Sequence, residues 1–585
     1  MPRSSCASTE RPFVKFANRI LCASAQSRIR CSGGNGKKDG YPFGYPSFLE
    51  APPGIGPGIE VLQTFALPLG HGAIFIQQTN YITKISSCQV LLTINSNIAQ
   101  AILQLVIFCD IMKSIKHLED EMKKYISLIL IAIFVFSSFS VLTSCGEKYM
   151  NPPSINGVSL QEFTIVYDFE GVDYNKRAAE YIKNTAKARY GIDLAIVDDG
   201  TSAHANEIVV GETSRSISAS LNAETEGFEF AILANGTSVA LEGDYFVVAA
   251  AAYFFMETYA SADAQVSTVP ETVSVHEPII KDAKNYILLI GDGMGVYQTR
   301  IFEYTDLVSD LGDGEDLFYG YMFPYMGYSR TQSLSGITDS AAGGTALACG
   351  VKTYNEYIGR DGNLQDVKSL TELAYEFGMS AGVMSTEVET GATPASFCAH
   401  ANDRDGSSEI FDSIMESMNK YGTVVECGYD YYTASRISVI EGRIEKVLDK
   451  VSANENGFFL MYEEAYIDKH CHSNNLDKTF SAVVRFNQAI ARFMEFAFYN
   501  PETMVIITAD HETGRLLPNE NGELQYNYDD HSEADVLIFA YGKGAEIFNG
   551  VNIENIQIAH TIAAFMGDEN FGDQSEYQSL TKGTK

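Results

Sequence analysis

Tyr286-Ile287-Leu288-Leu289-Ile290-Gly291-Asp292-Gly293-Met294-Gly295 is an apolar run cut off by a Gly-Asp-Gly turn. Five successive apolar residues without polar alternation predict a strand buried on both faces. Similar runs recur at 458–461, 504–507 and 536–540. A further strand is expected at 380–385, after a helix ending near Gly378. Between the runs, Phe480, Val483, Val484, Ile490, Ala491, Met494 and Ala497 fall on one helical face. A terminal helix is expected over 553–565. Alternating apolar strands and helices predict an α/β domain: a doubly wound, mostly parallel sheet with helices on both faces. Ligands in such sheets gather beyond the carboxyl ends of the strands. Asp292, Glu463 and the Asp510-His511 pair all stand at such ends.

Upstream, strands are expected at 163–167, 208–211 and 228–230, with helices at 176–187 and 247–259. These form a small α/β domain over 146–278. Residues 267–283, with Pro270 and Pro278, read as a linker, and 279–585 as the larger α/β domain. The small module resembles the N-terminal domain of some glycoside hydrolases, from Asn206-Glu-Ile-Val-Val-Gly-Glu-Thr-Ser-Arg215 and Gly227-Phe228. That resemblance implies no catalytic residues there.

Met122-Lys123-Lys124 is a basic start, and 126–139 is an apolar run of about 14 residues, short for a membrane span and suited to a signal peptide. Leu142-Thr143-Ser144-Cys145 follows. The order resembles a bacterial lipoprotein signal over 122–145. It implies a lipid anchor at Cys145, and an exported protein on the periplasmic face or cell surface. Residues 1–121 then read as upstream sequence outside the native protein or as a disordered segment. They hold five of the ten cysteines. After Cys145, four scattered cysteines are too few for a disulfide framework, with room for one or two bridges.

The chain has 585 residues, 45% apolar and 20% charged, which excludes a disordered composition. A net charge of −34 argues against nucleic-acid binding through phosphate contacts. An anionic substrate would need a local positive site, such as bound metal and arginine.

Thr338-Asp339-Ser340-Ala341-Ala342 reads as a helix start, with Thr338 or Asp339 as the cap. Ser340 would then sit at the positive end of the helix dipole, where backbone N–H groups favour alkoxide and phosphate. Alone, an ordinary N-cap explains the motif. Asp468 and His472 lie four apart, so a helix puts both on one face, suited to one metal. Alone, a surface pair explains them. Asp510-His511 is stronger, because charge at a buried strand end needs a partner. His531 alone reads as structural, Glu463-Glu464 as a solvated edge and Arg404 as a surface charge. Cys471 lies between ligand candidates, but its neighbours point elsewhere, so it is read as a non-ligand.

Taken together, these blocks resemble the alkaline phosphatases over about 285–567. The carriers are Gly-Asp-Gly-Met-Gly, Thr-Asp-Ser-Ala-Ala, Ala392-Thr393-Pro394-Ala395 through His400 to Arg404, Glu463 through Asp468-Lys469 to His472, Thr508-Ala509-Asp510-His511, and His531 before Ala540-Tyr-Gly542. The resemblance implies hydrolysis of phosphate monoesters, releasing inorganic phosphate, with Ser340 as the phosphorylated nucleophile. It implies two zinc ions, one on Asp468, His472 and His531 and one on Asp292, Asp510 and His511. Magnesium would take Asp292, Thr393 and Glu463. Arg404 would clamp two phosphate oxygens, which its planar fork suits. A homodimer is compatible with the same resemblance.

Two departures stand out. Relatives carry Asp or His at the position of Gly391, where an acidic group pairs with a lysine at the position of Lys469. Here Lys469 is expected to lack that partner, with Glu389 as a substitute candidate. The short 511–531 stretch suggests an open pocket with broad monoester acceptance. A phosphodiesterase or nucleotide pyrophosphatase of the same superfamily is the enzymatic alternative, but Arg404, Thr393 and Glu463 favour the monoesterase. A sulfatase lacks support, since Ser340-Ala-Ala-Gly-Gly has no following Pro and Arg. A catalytically degraded metal-binding surface lipoprotein would require a missing ligand or nucleophile.

Overall fold

The computed structural model describes residues 149–221, 223–304, 317–428 and 437–572. The segment 1–121, the expected signal at 122–145 and Cys145 lie outside the described residues. No helix among the described residues is long and apolar enough to cross a membrane.

The small module is a six-stranded sheet in the order Ala195–Asp198, Thr164–Tyr167, Glu207–Val210, Ser238–Gly243, Phe230–Asn235, Ser274–His276. The first four strands are parallel, and the last two run antiparallel to their neighbours. Its helix Asp173–Tyr190 buries Ala178, Ile182, Ala186 and Tyr190 at helical spacing. Asp173 opens that helix, Lys187 and Arg189 close it, and Gly191 in the left-handed region ends it. Two expectations need correction. Residues 274–276 are an edge strand of this sheet rather than linker, because they pair with Phe230–Ile232. Phe228 precedes its strand instead of belonging to it. Its ring packs on Phe246, Phe323, Phe498 and Tyr541.

The large sheet has eight strands in the order Val424–Glu426, Ser380–Ser385, Phe458–Glu464, Asn285–Gly291, Thr503–Thr508, Val536–Tyr541, Tyr325–Arg330, Asn552–Glu554. Only Val536–Tyr541 runs against the rest. Asn285–Gly291 is central and buried along its whole length, as its unbroken apolar run requires. The terminal helix starts later than expected, at Ile556, because Ile553 pairs with Ser329 at the sheet edge.

Helix Leu476–Tyr499 joins the two sheets. The apolar face expected from sequence is buried, and so are Arg485, Asn487 and Glu495 on other faces. Arg485 meets Glu464 and Asn487 meets Leu317 and Tyr319 of the same domain, while the module covers Glu495. Arg177 Nε lies 3.0 Å from both Glu495 oxygens, and Tyr181 stacks on Tyr499 with centroids 4.0 Å apart.

Candidate active site

The Asn285–Gly291 strand ends in a turn whose tightness sets the site. Gly293 has φ +69°, and a Cβ there would lie 2.8 Å from both Asp468 Oδ1 and Thr513 Oγ1. Glycine is therefore required by conformation and by space. The turn leaves Asp292 buried beside the end of Thr503–Thr508, where Gly293 N donates to Asp510 Oδ1 at 3.2 Å.

Asp292, Asp510 and His511 form one group of mutually close donors. His511 Nε2 lies 3.3 Å from Asp510 Oδ2 and 3.5 Å from Asp292 Oδ1. Ser340 reaches the same nitrogen, Oγ to Nε2 3.2 Å. Ser340 is the first residue of helix Ser340–Cys349, and Asp339 is its N-cap, accepting from Ala342 N at 2.9 Å. The sequence reading of a capped helix start therefore holds in detail.

A second group forms around His531. Strand Glu512–Thr513 pairs with His531–Ser532, which stacks the His511 and His531 rings with centroids 3.7 Å apart. His531 Nδ1 meets Thr338 O at 2.8 Å and His472 Nδ1 meets Asp529 O at 2.7 Å. Both carbonyls can only accept, so both Nδ1 atoms carry the proton and both Nε2 atoms present lone pairs. Yet the two Nε2 atoms face each other at 3.1 Å, with Asp468 Oδ1 3.4 and 3.6 Å from them. Two lone pairs and a carboxylate converging in this way are a divalent-cation donor set. Asp530 also joins His472 and His531 as a close group.

For the expected magnesium residues Asp292, Thr393 and Glu463, and for the expected zinc ligand Asp510, the structure gives burial and bare oxygens. Asp292 Oδ1, Asp510 Oδ2, Glu463 Oε1 and Thr393 Oγ1 are buried without a hydrogen-bond partner. Such atoms are costly unless a ligand satisfies them. Burial, then the mutual repulsion of Asp510, Asp468, Glu463 and Glu387, pushes the Asp292 carboxyl well up. Burial, then Glu387, raises Glu463, while burial, then Asp468, raises Asp510. Burial, then the neighbouring His531, drives His511 well down. Bound cations would reverse the carboxylate shifts and match the neutral imidazole.

Arg404 is held at the start of the Ser340 helix, Nη1 to Asp339 Oδ2 3.2 Å. Three expectations change. Lys469 has a partner, but it is Glu387, with Nζ 2.5 Å from Oε1, and not Glu389. Glu463 and Glu464 are no solvated edge, since both are fully buried in the sheet and Glu464 pairs with Arg485 at 2.8 Å. The four described cysteines, Cys349, Cys398, Cys427 and Cys471, are free thiols. Cys471 faces Tyr526 and Thr479, in keeping with a non-ligand.

Sequence reasoning missed Thr513, which donates to Asp468 Oδ1 at 2.6 Å and sits 3.2 Å from His511 Nδ1. Its place two residues after His511 was the available signal, since a two-residue step in a strand returns to the same face.

The alkaline phosphatase family model matches residues 283–442 and 438–518. Alkaline phosphatase 4 of Bacillus subtilis is 29% identical over 333 residues, 48% of this chain and 72% of its own. The Escherichia coli alkaline phosphatase is 24% identical over 409 residues, 49% of this chain and 87% of its own. Among solved structures, the alkaline phosphatase of the Antarctic bacterium TAB5 is 28% identical, with a TM-score of 0.43 over 49% of this chain and 98% of that one. His531 lies beyond the family match, so its membership of the site rests on the geometry above. The matched stretch contains the strands that end at Asp292, Glu463 and Asp510: residues 283–518 are an alkaline phosphatase domain, and the chain that carries it is a phosphatase.

Proposed function

We propose that this enzyme hydrolyses phosphate monoesters through a phosphoserine on Ser340. The observation that carries the reading is Ser340 Oγ at a helix start, 3.2 Å from His511 Nε2 and beside two acid-histidine groups. Ser340 gives its hydroxyl proton to solvent as Oγ bonds phosphorus and the bond to the ester oxygen breaks, and the leaving alkoxide takes a proton from solvent. Water then splits the phosphoserine, releasing inorganic phosphate and restoring the hydroxyl. With Ala342 N and Gly343 N bonded to Asp339, the earlier N–H groups of the helix start would meet the phosphoryl oxygens. Arg404, held by Asp339, binds two of those oxygens and keeps the group in line.

Asp468, His472 and His531 would hold one zinc ion, Asp292, Asp510 and His511 a second, and Asp292, Thr393 and Glu463 magnesium. Bound divalent ions supply the positive charge that activates the serine hydroxyl and the water and offsets phosphoryl charge. The test is a panel of mono- and diesters on zinc- and magnesium-loaded protein starting after Cys145. Monoesters should be preferred, and a clear diester preference would overturn the reading. We further propose export and lipidation at Cys145, from the basic, apolar, Leu-Thr-Ser-Cys order. Mature protein should yield no peptides before Cys145 by mass spectrometry, and abundant peptides from 1–121 would refute it.

A further inference from the structure

We propose that Glu387 is a positioning residue of this site, supplying from outside the helix the carboxylate that Gly391 lacks and so fixing Lys469 at the mouth. Gly391 has φ −60° and ψ 151°, a conformation open to any residue, so the backbone does not ask for glycine. Space does. A Cβ on Gly391 would lie 2.5 Å from Glu387 Oε2 and 2.6 Å from its Cδ. The other oxygen of that carboxylate holds Lys469 Nζ. Glycine at 391 and glutamate at 387 are therefore one arrangement, the missing side chain making room for the present one.

Glu387 is itself anchored. Its N donates to Ser385 Oγ at 2.9 Å, and Ser385 Oγ donates to Glu463 Oε2. Gly428 N donates to Glu387 O at 2.5 Å. Lys469 follows Asp468 on the Tyr466–His472 helix, and its Nζ lies 5.0 Å from the Tyr466 ring centroid. A lysine caught between a carboxylate and an aromatic face has little freedom. Its charge is partly spent on Glu387, which weakens its hold on a bound phosphate dianion and favours product release.

The inference rests on the site binding phosphate, and its test does not need turnover. Inorganic phosphate binding is measured by calorimetry on metal-loaded parent, Glu387→Gln, Gly391→Ala and the double variant Glu387→Ala with Gly391→Asp. Glu387→Gln removes the carboxylate's charge, whereas Gly391→Ala keeps the charge and displaces the flexible carboxylate from Lys469. Both should tighten phosphate binding by about fivefold, and the double variant should return it to within about twofold of the parent. If Gly391→Ala stays within about twofold of the parent, or the double variant fails to restore it, Glu387 does not position Lys469. Phosphate binding without monoester turnover in the parent would instead count against the proposed function and leave the comparison of variants intact.

Discussion

One carboxylate, that of Asp339, joins the helix bearing Ser340 to Arg404. Its Oδ1 accepts from Ala342 N at 2.9 Å, and its Oδ2 accepts from Glu356 N at 3.0 Å and from Arg404 Nη1 at 3.2 Å. The two duties are separable. Asparagine caps a helix about as well as aspartate, while alanine loses ~1 kcal/mol. Asp339→Asn keeps the cap but loses the acceptor for Glu356 N and Arg404, so it should cost less thermal stability than alanine yet weaken phosphate binding roughly fivefold. Asp339→Ala should lose both. Equal melting temperatures for the two variants would contradict the capping role.

His472 and His531 present Nε2 lone pairs to each other at 3.1 Å. Replacing either with alanine should lower bound zinc by about one equivalent, with the fold retained. Metal analysis showing unchanged stoichiometry in both variants would remove these histidines from the metal site.

The metal-free protein should lose stability as pH rises above about 6.5. In that range unfolded carboxyls are ionised and unfolded histidine is losing its last protons. The folded Asp292, Asp510 and Glu463 carboxyls are raised by burial and by one another, so the folded state holds more protons. Stability then falls with rising pH. Loaded metal removes those protons, so zinc and magnesium should flatten or reverse the slope. Melting curves with and without chelator from pH 6.5 to 9 check this, and parallel curves would contradict it.

The small module and the catalytic sheet should unfold together. Glu495 is buried under Arg177 and Arg492, and Tyr181 stacks on Tyr499 across the same seam. Arg177→Ala strands much of the Glu495 charge and should cost about 3 kcal/mol. A single transition should shift down in calorimetry. A variant that melts like the parent would show that the seam carries little stability.

The sheet and most of the site are legible in the sequence because their signals are local. An unbroken apolar strand followed by Gly-Asp-Gly fixes the central strand and Asp292 together, and Asp468 with His472 needs only one helical turn. What escaped depends on tertiary neighbours. Arg485, Asn487 and Glu495 look like the solvated side of an amphipathic helix until Glu464, the Leu317–Tyr319 segment and Arg177 of the module meet them. Glu464 looks like an edge charge until Arg485 reaches it. Gly391 in the sequence implies an empty place, and only the folded chain brings Glu387 to fill it.

Ser340 stands at the centre of the account, with Oγ 3.2 Å from His511 Nε2 and the helix N-terminus behind it. The most direct test is to quench metal-loaded enzyme at low pH during turnover of a phosphorus-labelled monoester and measure label bound to protein. The parent should trap label on the peptide containing Ser340. Ser340→Ala should trap none while keeping its zinc content. Label that persists on the Ser340→Ala protein would contradict the account.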